Sequence, residues 1–142
     1  MATTHQATER RNTSGVPGRW SLWPAGATAV AVAAVATTVL AAVGRALGAP
    51  IAVDGEAISL VAFPTFTVIA GAAGIALAVA LNRWTRRPRR TFTVATVVLT
   101  GLSLVPDVLV QVSPGSRIVL MLTHLVAAAI VIPTLSRRLP TG

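Results

Sequence analysis

The chain has 142 residues, of which 54% are hydrophobic and only 11% are charged. Charged residues average about 25% in globular proteins, so this composition excludes an ordinary soluble domain, and the apolar surplus has to face lipid. The net charge of +8 comes from arginines clustered between apolar runs, a pattern typical of membrane topology signals and not of a nucleic-acid groove.

The chain begins with a polar stretch and then turns apolar. Residues 1–23 are rich in Thr, Ser and Gly without an apolar period, which predicts a disordered cytoplasmic tail. Trp20 and Trp23 are typical of an aromatic belt at the membrane surface. No charge interrupts residues 25–43, and a membrane span needs about 20 residues, so the first span is predicted over about 24–44. A cleavable signal peptide is the alternative for this stretch.

Three further apolar runs follow. A short loop, 45–56, precedes the second span at about 57–81, and the arginine-rich loop 82–90 precedes the third at about 91–112. Residues 113–115 (Ser-Pro-Gly) predict a turn before the fourth span at about 116–136. The four-span domain therefore covers 24–139, followed by a short tail at 140–142. Because these runs are much longer than membrane β-strands of about ten residues, the sequence predicts an all-α integral membrane four-helix bundle.

The placement of arginine predicts how the chain is threaded. Ten arginines fall in the N-terminal tail, the middle loop and the C-terminus, whereas the other two loops carry only Arg45 and Arg117. The positive-inside rule then places both termini in the cytoplasm and the chain in the inner (plasma) membrane. Outside the tail, the predicted topology determinants are Arg83, Arg86, Arg87, Arg89, Arg90, Arg137 and Arg138.

One segment is similar to a known family. Residues 106–139 resemble the C-terminal half of the DUF6069 family, small four-helix membrane proteins of unknown function. The distinctive part is Arg117 to Pro133 with its MLTHL motif, and the RALG at 45–48 and the arginine-rich loop are similar too. The resemblance covers about 24–139. It implies the four-span architecture and supplies no catalytic residue.

Three ionisable residues interrupt the last two spans. Asp107 lies about six residues before the predicted turn and His124 about nine after it, which places both roughly 9–14 Å below the outer surface. Arg117 and His124 are seven residues apart and share a helix face, so Asp107 can pair with either. In the functional interpretation they form a proton relay or an outward-opening pocket. In the structural one, Asp107 pairs with Arg117 near the interface and fixes the hairpin.

Other patterns are weaker. Small residues recur at 70, 74 and 78 and at 29, 33, 37 and 41, which predicts close packing of the first two spans or, alternatively, dimerisation. Arg45 can pair with Asp54 or Glu56. The arginine-rich loop can bind anionic lipid, although its topogenic role alone explains it.

The functional prediction follows from what the sequence lacks. The chain has no cysteine and no phosphate loop, zinc-protease motif or serine elbow, so we expect no enzymatic activity, no cofactor and no metal site. We expect a small accessory or structural membrane subunit whose partners are the lipid bilayer and a second copy or another membrane protein, with no nucleic acid. The alternative is a small transporter or proton-coupled protein that uses Asp107, Arg117 and His124.

Overall fold

A computed structural model of the protein describes residues 22–53, 55–109 and 112–141. Within these residues the chain forms four α-helices and one two-stranded hairpin. The elements are α1 (Leu22–Ala46), β1 (Ala52–Val53), β2 (Glu56–Ala57), α2 (Ala62–Trp84), α3 (Pro88–Leu109) and α4 (Pro114–Ser136). The predicted tail lies outside the described residues, apart from its last two, which begin α1.

Each of these helices is long and apolar enough to cross a membrane by length and composition. A helix of 22–25 residues rises by about 1.5 Å per residue and therefore matches a hydrocarbon core of about 30 Å. The predicted all-helical fold of membrane-length helices is confirmed, and it fits a small multi-pass membrane protein. The orientation of the termini stays a prediction.

The bounds of the second and third helices differ from the spans that the sequence predicts. The second helix starts at Ala62 and not near residue 57, because β2 pairs antiparallel with β1, Ala52 opposite Ala57. The third helix starts at Pro88, inside the arginine-rich loop, where proline suits the first helical position because its missing N–H has no helical acceptor there. It ends at Leu109, three residues short of the predicted end.

The helices pack as neighbours in an antiparallel arrangement. α1 lies between α2 and α4, and α3 contacts α4 and α2. Gly44, late in α1, packs so closely against Val119, early in α4, that a Cβ at residue 44 would clash with the valine. Gly26, early in α1, lies close to Leu135, late in α4. The chain directions of α1 and α4 are therefore opposed.

Small residues let α1 approach both of its neighbours. The predicted stripe on α1 is buried within the monomer, and its members are Ala29, Ala33, Thr37 and Ala41. On α2 the predicted residue 78 is buried, but Gly71 and Ile75 are the buried residues beside it, in place of the predicted 70 and 74. Gly71 faces Val30 of α1, and this contact sets the rotation of α2. The α1 stripe therefore serves packing inside the monomer.

Two apolar clusters hold the ends of the molecule. At the end where the arginine-rich loop lies, which we call the arginine end, the buried residues are Leu22, Val30, Ile75, Ala78, Phe92, Leu135 and Leu139. At the opposite end, which we call the hairpin end, they are Ala41, Ile51, Phe63 and Val119. Between them the helices meet through small side chains and through a hydrogen bond of 3.1 Å that joins the Thr37 and Thr67 hydroxyls.

The third helix packs much less closely than the first. In the apolar stretch of α1, 39% of the residues are buried, whereas in that of α3 the share is 6%. The buried residues of α3 are Pro88 and Phe92, both in its first two turns. Beyond Phe92, α3 leaves an apolar surface that the rest of the described chain does not cover.

Candidate functional site

The polar site lies where α3 ends and α4 begins. Ser113 caps α4, because its Oγ accepts the Ser116 N–H at 3.1 Å, and the two hydroxyls lie 2.8 Å apart. Pro114 follows at the first helical position, where its fixed φ favours a helix start. These local contacts fix the register of α4, so His124 lies ten residues into that helix.

The end of α3 carries the acidic partner. Asp107 follows Pro106, a proline inside the last turn of the helix. Because proline has no N–H, the carbonyl four residues earlier loses its helical donor, and the helix ends shortly after at Leu109. Asp107 thus lies beside backbone carbonyls that end a helix, where the helix dipole favours a positively charged neighbour.

The structure brings Asp107 and His124 together. The Nδ1 atom of His124 lies 3.3 Å from Oδ2 of Asp107 and 2.9 Å from the carbonyl oxygen of Leu120. Since a carbonyl oxygen can only accept, a hydrogen bond at this distance requires Nδ1 to be the donor to Leu120. Asp107 Oδ2 is buried and has no hydrogen bond among the described residues. The approach of His124 to Asp107 Oδ2 is therefore a close contact and not a hydrogen bond.

This contact also fixes the relative heights of the two helices. Asp107 lies two residues before the end of α3, whereas His124 lies ten residues after the start of α4. At a rise of about 1.5 Å per residue, the end of α3 is about 12 Å deeper than the start of α4. Within the pair, the Asp107 side chain is 12% exposed and that of His124 is 39% exposed. His124 is therefore the more accessible member of the pair.

Arg117 does not join this pair. Among residues 22–53, 55–109 and 112–141, no carboxylate lies within ion-pair distance of it, and its Nε is buried without a hydrogen-bond partner. Two helical turns separate it from His124 on α4. Of the two pairings that the sequence allows for Asp107, the structure contains the one with His124 and not the one with Arg117.

The loop between α1 and α2 is a folded cap. Arg45 donates from Nη2 to the carbonyl oxygen of Ile58, and the Ile58 N–H donates to the carbonyl of Ile51 at 2.9 Å. Ile51 is fully buried between α1, α2 and α4 and has a φ of 32°, a region that β-branched residues rarely adopt. Burial of the side chain compensates for this backbone strain. Asp54, a predicted partner of Arg45, lies outside the described residues.

A groove of about 360 Å³ opens at the hairpin end, between the loop after α1 and the start of α4. Its walls include Gly44, Gly48, Pro50, Ser113, Gly115 and Val119. Asp107, Arg117 and His124 are not among its lining residues, so the groove and the charged pair are separate features. In the described part of the chain, no group of three or more His, Asp or Glu side chains is placed to hold a metal ion.

The sequence matches one family model. The model of the "Family of unknown function (DUF6069)" matches residues 17–141, which is most of the chain. The chain belongs to the DUF6069 family. The resemblance that the sequence suggests over 24–139 is thereby confirmed, and it extends further at the N-terminal side. No curated protein and no solved structure matches the chain.

In this DUF6069 protein, the folded cap between α1 and α2 differs from the simple short loop that the sequence predicts over 45–56. Asp54-Gly55 between two short β-prone stretches is the signature of a two-residue hairpin turn, since such turns need positive φ. Gly55 has a φ of 84°, and the strands that flank the turn pair as this signature predicts. The fixed position of Ile51, by contrast, has no local signal, because it depends on contacts with three helices.

Proposed function

We propose that this DUF6069 protein is a small accessory subunit of the plasma membrane, without enzymatic activity of its own, which assembles with a second copy or another membrane protein through α3. The observation that supports this proposal is the uneven burial of the helices. The small residues of α1 are buried in contacts inside the monomer. The apolar surface of α3, by contrast, is mostly exposed and is available to a partner.

The outward surface of α3 has the composition of a helix-packing face. Its exposed large apolar residues include Val94, Val97, Val98, Val105 and Val108. Gly101 lies among them, and a Cβ added there would meet nothing within 4 Å. Membrane helices associate mainly by close van der Waals packing, and a glycine lets a second backbone approach. β-Branched valines around a glycine form such a surface with little loss of side-chain freedom.

Single cysteines test this proposal cleanly, because the chain has none of its own. Val98→Cys places a thiol in the middle of α3 on a residue that is 54% exposed, and Val35→Cys is its matched control at mid-depth on α1, at 65% exposure. We expect Val98→Cys to cross-link in native membranes, to itself or to a partner, and Val35→Cys not to. Equal cross-linking of both positions would mean random collision in the bilayer and would refute assembly through α3.

A second pair of variants separates assembly from folding. Gly101→Leu fills the outward face of α3, and Gly74→Leu makes the same change on α2, where an added Cβ also meets nothing within 4 Å. We expect only Gly101→Leu to abolish the Val98→Cys cross-link, while both variants keep the monomer's detergent stability. Persistence of the cross-link in Gly101→Leu would contradict the proposed interface.

The proposed threading places both termini in the cytoplasm. It is supported by the arginine asymmetry, since all the described arginines except Arg45 and Arg117 lie at the arginine end. Ser59→Cys at the hairpin end and Thr141→Cys after α4 test it by labelling intact cells with a membrane-impermeant maleimide. We expect labelling of Ser59→Cys alone. Labelling of Thr141→Cys alone would invert the orientation.

The alternative function is proton-coupled transport, supported by the Asp107–His124 contact at membrane depth. Intramembrane ionisable groups are costly and for that reason commonly functional. If the protein is a proton-coupled transporter, it should give a pH-dependent flux in proteoliposomes. Asp107→Asn and His124→Ala should each abolish this flux while the cross-link on α3 persists. If both variants change detergent stability alone, the pair has a packing role and the accessory function stands.

A further inference from the structure

The arginine end brings together two segments that are distant in sequence. Phe92 near the start of α3 lies in one buried cluster with Leu135 at the end of α4 and Leu139 three residues after that helix. The arginines that flank these residues therefore surround the same end of the molecule. They are Arg83, Arg86, Arg87, Arg89, Arg90, Arg137 and Arg138, and all of them are exposed.

No carboxylate of the described chain balances this charge. Glu56 lies in the hairpin and Asp107 at the far end of α3, so the acidic residues within 22–53, 55–109 and 112–141 are remote from these arginines. Like charges held on one surface repel each other unless counterions or ligands of opposite charge gather there. The fold thus maintains a concentrated positive surface at this end.

An aromatic residue places this surface at the level of lipid headgroups. Trp84 is the last residue of α2, lies next to Arg83 and is 79% exposed. Tryptophan at the end of a membrane helix prefers the interface between hydrocarbon and water. We therefore expect the neighbouring guanidinium groups at the depth of the phospholipid phosphates.

We infer that the arginine end is a binding surface for anionic phospholipids, with guanidinium groups from both the α2–α3 loop and the end of α4 on their phosphates. The side-chain type supports a phosphate ligand, because every basic residue of the chain is arginine. A guanidinium presents a planar fork that holds two phosphate oxygens at once, whereas an ammonium acts as a point charge. Two converging segments can hold one headgroup from two sides.

Trp84 supplies the probe for the experiment. With Trp20→Phe and Trp23→Phe, Trp84 is the sole tryptophan of the full chain. The protein is reconstituted in vesicles of zwitterionic lipid that contain a fixed fraction of brominated lipid, either phosphatidylglycerol or phosphatidylcholine. Bromine quenches tryptophan fluorescence on contact. The ratio of the quenching by brominated phosphatidylglycerol to that by brominated phosphatidylcholine therefore measures how strongly the anionic lipid is enriched around Trp84.

We expect anionic lipid to be enriched at Trp84 by about fivefold or more, since one arginine near an anionic surface contributes about that factor. Replacing Arg86, Arg87, Arg137 and Arg138 by glutamine should lower the enrichment severalfold, and the part that remains should come from Arg83, Arg89 and Arg90. The matched lysine variant keeps every charge and should retain part of the enrichment. Six of the ten arginines assigned to this side remain in the glutamine variant, so its threading is preserved, and maleimide labelling of Thr141→Cys verifies this.

Three outcomes would overturn the inference. The first is equal quenching by the two brominated lipids in the otherwise unchanged protein. The second is unchanged enrichment in the glutamine variant, which would mean that Trp84 and the bilayer alone determine it. The third is a change in Trp84 fluorescence when inorganic phosphate is added to purely zwitterionic vesicles that is as large as the change caused by anionic lipid. That result would make the free anion the ligand. Cross-linking through α3 is measured separately, so failure here does not affect the proposed accessory function.

Discussion

Replacing Gly71 by alanine tests how α1 and α2 are held together. A Cβ added at residue 71 would lie 2.8 Å from Cγ1 and 3.1 Å from Cβ of Val30, and closer still to Cγ2. Val30 is β-branched and lies within α1, where valine has essentially one χ1 rotamer. The valine methyl groups therefore cannot rotate away, and the contact is relieved only if the two helices move apart.

The magnitude follows from two opposing effects. Glycine in a helix interior is less favourable than alanine by about 0.5–1 kcal/mol, because it loses more backbone freedom. Overpacking a close contact costs about 1–3 kcal/mol. At Gly74, three residues further along α2, an added Cβ meets nothing within 4 Å, so the same substitution carries only the favourable effect. We expect Gly71→Ala to be less stable than Gly74→Ala by about 1–3 kcal/mol.

The measurement is the free energy of unfolding in detergent, from titration with a denaturing detergent or from steric trapping. Both variants change the same residue type in the same helix, so propensity cancels in their difference. Val30→Ala removes both Cγ atoms and should restore most of the stability in the double variant Gly71→Ala/Val30→Ala. Equal stability of Gly71→Ala and Gly74→Ala, or the absence of rescue, would refute the packing of α1 on α2 described above.

Three further predictions concern the polar pair and the cap. His124→Ala leaves the buried oxygen of Asp107 without the imidazole beside it, so it should be less stable than the double variant Asp107→Asn/His124→Ala by about 2.5 kcal/mol, the cost of an unpaired intramembrane charge. A double-mutant cycle in detergent measures this, and additive effects would contradict it. Ile51→Ala empties a fully buried site and should cost about 2–5 kcal/mol of unfolding free energy, whereas Val61→Ala, on an exposed residue of the same loop, should change it by less than about 0.5 kcal/mol. Arg45→Gln removes the guanidinium donor of the cap and should accelerate amide hydrogen exchange in the hairpin about fivefold, which is equivalent to about 1 kcal/mol for one hydrogen bond. An unchanged exchange rate would show that the cap does not depend on Arg45.

Part of the candidate site follows from sequence. Asp107 and His124 lie at similar distances from the Ser-Pro-Gly turn, and an antiparallel hairpin brings residues at similar distances from its turn to the same depth. The choice between His124 and Arg117 as the partner does not follow in this way. It depends on the end of α3 at Leu109, which leaves Asp107 level with His124 and about two turns away from Arg117 along α4.

The small-residue stripes show a similar division. The α1 stripe at 29, 33, 37 and 41 is buried as its spacing predicts, because a helical period of 3.6 places these positions on one face. On α2, several alanines and glycines in succession fit more than one face equally well. The contact between Gly71 and Val30 selects the face, and this contact arises only when both helices are in place.

The sequence by itself determined that the chain forms four long apolar helices. Apolar runs of the length of a membrane and arginines grouped on alternate connections predict which segments span and which side they favour, because these properties depend on composition along a single segment. Tertiary structure alone decided how the segments are used. It placed Asp107 beside His124, fastened the loop after α1 as a cap and left α3 with an uncovered face, since each of these results depends on contacts between residues that lie far apart along the chain.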